Sequence, residues 1–285
     1  MARLVAFDDK CPVHRQNANM LPNFIIVGSM RCGTSSLSYY LRQHPDVYMA
    51  PGKELNYFNN NFDKGLDWYE SQFRDAETHH AVGEATPSYI HDGIAVSRIS
   101  EVLPAIRMVA ILRNPVERTY SDYLMAATRG REHRTFEEAV DEERHNPHRT
   151  TSYVDRSRYL HQVKRLAQEI PGAQLHVMIT EQLAVEPVPA YQGLCRFLDV
   201  DPTILPVDLG RRVNPYMEFR SIALRRALKK LRPGLIRRGL EAANAKREAG
   251  YPPMNPATAD TLRSLFEPEV GPLSEYLQMD LSKWW

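Results

Sequence analysis

Apolar residues fall along this chain in two rhythms. Phe24-Ile25-Ile26-Val27 is an unbroken apolar run stopped by Gly28, and Arg107 to Leu112 (R-M-V-A-I-L) is a second. Short apolar runs of this kind are what strands buried on both faces require, and such strands belong to parallel sheets. Val47 to Met49 and Gln174 to Ile179 read as further strands, and Ala81 to Glu84 as a strand edge. Between them the spacing turns helical. Leu37, Tyr40 and Leu41 fall at i, i+3, i+4 in a helix that starts at Thr34 and ends at Pro45. Helices are also predicted over Gly65 to Phe73, Ile94 to Leu103 and Arg158 to Ile170, and around Leu262 to Leu277. Another opens at Asn114 and Pro115 and carries Tyr120, Tyr123 and Leu124, with proline in its first turn. Strands alternating with helices predict an α/β fold, a central parallel sheet flanked by helices with a P-loop-like first strand–loop–helix.

The chain has 285 residues, 43% hydrophobic and 25% charged, with a formal net charge of +1. These values fit one large α/β domain, read here as a leader over 1–21 and a single domain over 22–285. A balance this neutral argues for neither a nucleic-acid nor a membrane partner. No apolar run approaches the length of a membrane span, and the first residues lack the apolar core of a signal peptide. Three cysteines, Cys11, Cys32 and Cys195, cannot all pair internally and form no C-x-x-C, so a reducing, cytoplasmic location is expected.

Two segments carry candidate chemistry. The first is the loop Gly28-Ser29-Met30-Arg31-Cys32-Gly33-Thr34-Ser35-Ser36, between a strand and a helix. Glycines let backbone N–H groups approach an anion, and hydroxyls at a helix N-terminus add donors where the dipole favours negative charge. The glycine spacing is that of a nucleotide-binding G-x-x-x-x-G-K-S/T loop, but Thr34 takes the lysine position and the cation is Arg31. On residues alone the choice lies between an anion cradle and a plain capped turn. The second segment is Leu112-Arg113-Asn114-Pro115-Val116-Glu117-Arg118-Thr119-Tyr120-Ser121-Asp122-Tyr123. Arg113 follows the carboxyl end of a strand, where open α/β sheets bind ligands, and Ser121 comes two helical turns later. The pair can grip a phosphate, or Arg113 can simply pair with Glu117.

Together these segments resemble the sulfotransferases that use 3′-phosphoadenosine 5′-phosphosulfate (PAPS), in particular the heparan sulfate N- and 3-O-sulfotransferase branch and its bacterial relatives. Lys53-Glu54-Leu55-Asn56-Tyr57-Phe58-Asn59, Gly65-Leu66-Asp67-Trp68-Tyr69 and Glu84-Ala85-Thr86-Pro87-Ser88-Tyr89 are similar to further family motifs in the same order. The resemblance implies that Arg31, Cys32, Gly33, Thr34, Ser35 and Ser36 hold the 5′-phosphosulfate of PAPS. Arg113 and Ser121 would grip its 3′-phosphate. Lys246 and Arg247, in a stretch to Pro253 that looks like the family's covering loop, would close over it. Glu54 would be the catalytic base, Arg31 would stabilise the leaving oxygen, and no metal would be required. The acceptor would be a hydroxyl- or amine-bearing glycan, glycolipid or small molecule. His79, His80 and His91 are rival bases by chain order. Arg31 stands where the family has lysine, Ala85 replaces a lysine, and Asn56 and Asn59 replace the His and Asp of the 3-O-specific enzymes.

Two other function classes compete. A P-loop kinase or nucleotide hydrolase would need the absent lysine and Mg²⁺. A non-catalytic polyanion binder would use Arg220 to Arg247, which holds ten basic residues against the single acidic Glu241. The plainer role for that run is a solvated helix face.

Overall fold

A computed structural model describes residues 20–146, 152–171, 174–211, 213, 216, 218–219, 221, 224, 227–228, 234–246 and 251–285. Five parallel strands form the sheet, β1 (Phe24–Gly28), β2 (Val47–Met49), β3 (Ala81–Ala85), β4 (Arg107–Leu112) and β5 (Gln174–Ile179), in the order β2-β3-β1-β4-β5. The expected parallel sheet is present. Every residue of β1 is buried, which explains its unbroken apolar run.

Alternate residues of the central strands feed two apolar layers. Ile25, Val27, Met108, Ala110 and Leu112 face one, with Ile99 of α3 (Gly93–Val102) and Val163 and Leu166 of α6 (Tyr159–Glu169). Phe24, Ile26, Val109 and Ile111 face the other, with Leu37 and Leu41 of α1 (Thr34–Leu41) and Tyr191, Leu194 and Leu198 of α8 (Pro187–Leu198). A smaller cluster joins Tyr120 of α4 (Pro115–Thr128), Phe136 of α5 (Phe136–His145) and Leu262 and Phe266 of the C-terminal helix α10 (Pro256–Leu277). Two antiparallel dipeptides, β6 (Glu218–Phe219) and β7 (Ala245–Lys246), flank α9 (Leu235–Asn244).

Three readings change. The segment expected at a strand edge is β3, in the sheet's interior between β2 and β1. Its glycine is structural, because a Cβ on Gly83 would lie 2.4 Å from the Phe24 ring. The single helix expected over Gly65 to Phe73 is α2 (Leu66–Glu70) followed by a 3-10 turn, Ser71–Ala76. Helices α5, α7 (Thr180–Val185) and α8 were not predicted, although Thr135 and Glu138 form a complete capping box before α5. No helix among the described residues is long and apolar enough to cross a membrane.

Candidate active site

The site lies at the carboxyl ends of β1, β3 and β4, where the strand order reverses about β1. β1 runs directly into the loop Gly28 to Gly33. The Ser29 amide donates to the Ile111 carbonyl at 2.9 Å, fastening the loop to β4. Gly33, at φ 100°, turns the chain into α1 through a left-handed conformation that glycine takes at no steric cost. The amides of Ser36 and Leu37 donate back to the Gly33 carbonyl. No described residue accepts from the amides of Gly33, Thr34 and Ser35, so the first turn of α1 presents open donors at its positive end.

The side chains of this loop diverge. The Cys32 amide donates to Ser29 at 3.3 Å and its thiol is fully buried, so the open cradle runs from Gly33 onward. Burial pushes the Cys32 thiol up to about 11 despite nearby Arg118, which leaves it protonated and shielded at neutral pH. Cys32 of the native protein is therefore expected to resist iodoacetamide, read by peptide mass mapping. Fast native labelling of Cys32 would contradict this burial. The Ser36 hydroxyl accepts from the Val213 amide at 3.1 Å.

Arg31, also left-handed at φ 69°, turns away from the loop toward α4. Its Nε donates to Ser121 Oγ at 3.0 Å, and Nη1 lies 3.4 Å from Met125 Sδ. The two segments singled out in the sequence thus meet in one contact across 90 residues. Arg113 stands beside them. It makes the plain i,i+4 pair with Glu117 at 3.2 Å, but half of Glu117 is exposed, so the pair is weak and exchangeable.

A third partner arrives from far along the chain. Tyr251 places its hydroxyl 2.9 Å from Ser121 Oγ, and the Arg113 guanidinium lies 5.7 Å from its ring centroid. The Tyr120 hydroxyl donates to the Pro252 carbonyl at 3.0 Å and anchors this segment on α4. Burial alone would raise the Tyr251 phenol, but the Ser121 hydrogen bond, Arg113 and Arg31 outweigh it and leave it below the ordinary tyrosine value. Tyr251 falls in the stretch to Pro253 that resembles a covering loop, but the residue itself was not singled out in the sequence.

Beneath both motifs lies Arg118, fully buried. It donates to the carbonyls of Met30 (3.1 Å) and Tyr153 (2.8 Å), to Ser157 Oγ (3.0 Å), and to Asp122 Oδ2 (2.5 Å). One guanidinium therefore ties the loop, α4 and the 153–157 segment together.

Glu54 lies across a cavity of about 330 Å³ whose lining includes Thr34, Ser35, Lys53, Glu54, Ala85 and Pro87. The cavity brings the candidate base to the same space as the loop hydroxyls. Glu54 and Asn56 are both left-handed, at φ 56° and 51°. Residues other than glycine hold that conformation only when their surroundings impose it. The Asn56 side-chain amide braces the turn by donating to the Glu54 carbonyl at 2.6 Å. Lys53 pairs with Glu54 at 3.7 Å with both groups substantially exposed, so the pair fixes little. Glu84, at the end of β3, is buried and accepts from Thr86, Tyr69 and Tyr89. Burial pushes it up to about 7 against those hydrogen bonds and one from the Leu55 amide.

The rival histidines are not brought together with the loop in this way. His79 and His80 precede β3, at the amino ends of the strands and so on the opposite edge of the sheet. His91 follows β3, but burial and the neighbouring Arg156 and Arg118 press it down to about 4, making it a weak base. Tyr57, Phe58 and Tyr69 are buried core aromatics, with Tyr57 stacked on Tyr69 at 4.3 Å. Arg247 lies outside the described residues, and for Lys246 only the backbone, in β7, is described. Arg220, Arg225, Arg226, Lys229, Lys230 and Arg232 of the basic run likewise lie outside them. Arg237 pairs with Glu241 at 2.9 Å, as a solvated helix face predicts.

Comparison with known proteins agrees with this geometry. Residues 21–230 match the model of the sulfotransferase domain. Over 106 residues the chain is 40% identical to the membrane-associated sulfotransferase kil1 of Dictyostelium discoideum, covering 36% of this chain and 22% of that protein. Over 170 residues it is 31% identical to human heparan sulfate glucosamine 3-O-sulfotransferase 3A1, covering 60% of this chain and 40% of that one. It thus spans well under half the length of either curated relative. The solved sulfotransferase from Alicyclobacillus acidocaldarius superposes with a TM-score of 0.70 at 28% identity, covering 93% of this chain and 99% of that one. With the family's domain matched over most of its length and a solved member sharing its architecture, the chain belongs to the sulfotransferase family.

Proposed function

We propose that the protein transfers the sulfuryl group of PAPS to a hydroxyl or amine of a glycan, glycolipid or smaller acceptor, with Glu54 as base and no metal. The observation that carries this is the convergence of Arg31 and Ser121, with Arg113 alongside, next to the open amides of Gly33 to Ser35. The residues present suit a nucleotide with two separate anionic ends. The amides and the hydroxyls of Thr34, Ser35 and Ser36 receive the 5′-phosphosulfate at the positive end of α1. Arg113 and Ser121 receive the 3′-phosphate, the arginine through its fork of donors. Lys246 and Arg247 belong to the segment that would cover the nucleotide.

From the other wall of the cavity Glu54 accepts the acceptor's proton as its oxygen or nitrogen bonds to sulfur. The sulfur–oxygen bond to the 5′-phosphate breaks, and the electron pair leaves with adenosine 3′,5′-bisphosphate (PAP). To supply positive charge to the leaving phosphate, Arg31 must swing back toward the loop from Ser121 Oγ, which its Nε contacts at 3.0 Å. The reading as a P-loop kinase gains nothing from the structure, since Thr34 lines the cavity where that chemistry needs lysine. Two buried free thiols, Cys32 and Cys195, accord with a reducing, cytoplasmic location.

The test is release of PAP from PAPS, without metal, in the presence of a panel of acceptors: N-sulfated heparosan, a phenol, a sterol and a lipid glycoside. Acceptor-dependent release supports the proposal. No release with any acceptor, together with Mg²⁺-dependent hydrolysis of ATP, would replace it with nucleotide hydrolysis.

A further inference from the structure

Glu84 is a fully buried carboxylate that the reaction above does not use. It is the penultimate residue of β3, an interior strand, and is 1% exposed. Its Oε1 accepts from the Tyr69 and Tyr89 hydroxyls, each at 3.1 Å, and its Oε2 from Thr86 Oγ1 at 2.6 Å. The Leu55 amide also faces it and favours its charged form. Two of these hydroxyls pass the contact on. Thr86 Oγ1 accepts from the Asn56 amide at 3.2 Å, and the Tyr89 hydroxyl from the Phe58 amide at 3.3 Å. Through at most two hydrogen bonds the carboxylate therefore holds the backbone at 55, 56 and 58, immediately after Glu54.

The direction of each bond is what makes the carboxylate necessary. Thr86 and the tyrosines have one hydroxyl proton each. Spent on Glu84, those protons leave oxygen lone pairs turned toward the Asn56 and Phe58 amides. A donor group at position 84 would compete for those lone pairs, and an apolar one would leave the hydroxyl protons without an acceptor. A costly buried carboxylate in this place has a use: its hydrogen bonds brace the turn in which Glu54 and Asn56 are left-handed, conformations that a free loop would not keep.

We propose that Glu84 is a positioning residue for Glu54, fixing through Thr86, Tyr89 and the Leu55 amide the turn that aims the base into the cavity. This rests on Glu54 being the base. The test compares hydrogen exchange, PAP affinity and turnover in wild type, Glu84→Gln and Thr86→Val. In Glu84→Gln an NH2 replaces the oxygen that accepts from Thr86, so the Thr86 hydroxyl must reorient and its bond from the Asn56 amide is weakened. In Thr86→Val the carboxylate stays and the relay to Asn56 is cut, so this variant carries the test if the first does not fold. Amides 55–58 are expected to exchange about tenfold faster or more, while β1 keeps its protection and PAP affinity stays within about twofold. With an active acceptor, Glu84→Gln is expected to lower kcat about 10-fold or more in wild type but little in a Glu54→Gln background, because it acts through Glu54. Unchanged exchange at 55–58 in both variants would overturn the proposal. So would an equal loss of kcat in both backgrounds, or a loss of protection that spreads to β1 and takes PAP binding with it. Failure of wild type to bind PAP would instead sink the sulfotransfer reading and leave the exchange result to judge the turn.

Discussion

Glu54→Gln is expected to lower acceptor-dependent release of PAP by ~10²–10⁴-fold while leaving PAP affinity within about twofold of wild type. The glutamine has the same shape, so the left-handed turn and the cavity wall persist; what disappears is the ability to take a proton. Nucleotide affinity is spared because the groups proposed to hold the anion, Arg31, Arg113, Ser121 and the amides of Gly33 to Ser35, lie on the loop, after β4 and on α4 rather than on the Glu54 turn. Stability should hardly change, since the Lys53 partner is exposed and weak. Single-turnover rates at saturating PAPS, set beside calorimetric PAP affinities, separate the two quantities. A variant as fast as wild type would remove Glu54 from the chemistry.

Arg118→Met is expected to cost about 3 kcal/mol of stability, because it leaves the buried Asp122 carboxylate with only the longer Arg156 contact at 3.7 Å. The carbonyls of Met30 and Tyr153 and the Ser157 hydroxyl lose their donor at the same time. A fall in melting temperature on the order of 10 °C follows. Adding Asp122→Asn should recover part of the loss, since the stranded charge is then gone. Denaturant titration of the single and double variants measures both. A single variant as stable as wild type would mean that Arg118 and Asp122 do not hold each other in the core.

The parts of the fold that were legible in the sequence are those where one physical demand dominates. β1 and β4 bury both faces, and nothing but an apolar run satisfies that. β3 faces the same demand but meets it with small residues, because Gly83 must leave room for the Phe24 ring, and so it read as an edge. The Gly65 to Phe73 stretch has helical spacing, yet the backbone tightens into a 3-10 turn after Glu70.

The candidate site divides the same way. The glycine loop and the Arg113 to Ser121 segment are local patterns, and both were visible before their contact was known. Arg118 was not, although it sits inside the second motif, because a lone arginine on a helix reads as surface unless its partners are seen. Those partners lie up to 88 residues away. Tyr251 reaches Ser121 across 130 residues, a juxtaposition that only tertiary structure creates. The turn at Glu54 was also hidden. Its left-handed backbone is imposed from below by Glu84 and Thr86, and the Glu-Leu-Asn sequence does not announce it.

The central claim is that loop and α4 together form a site for a nucleotide phosphorylated at both its 3′ and 5′ ends. Calorimetric titration of PAP, without metal, into wild type and Arg113→Ala tests it most directly. The account predicts metal-free binding by wild type and a loss of about 10-fold or more in the variant, the scale of a charge-assisted hydrogen bond to phosphate. No binding by folded wild type, or equal binding by both proteins, would contradict it.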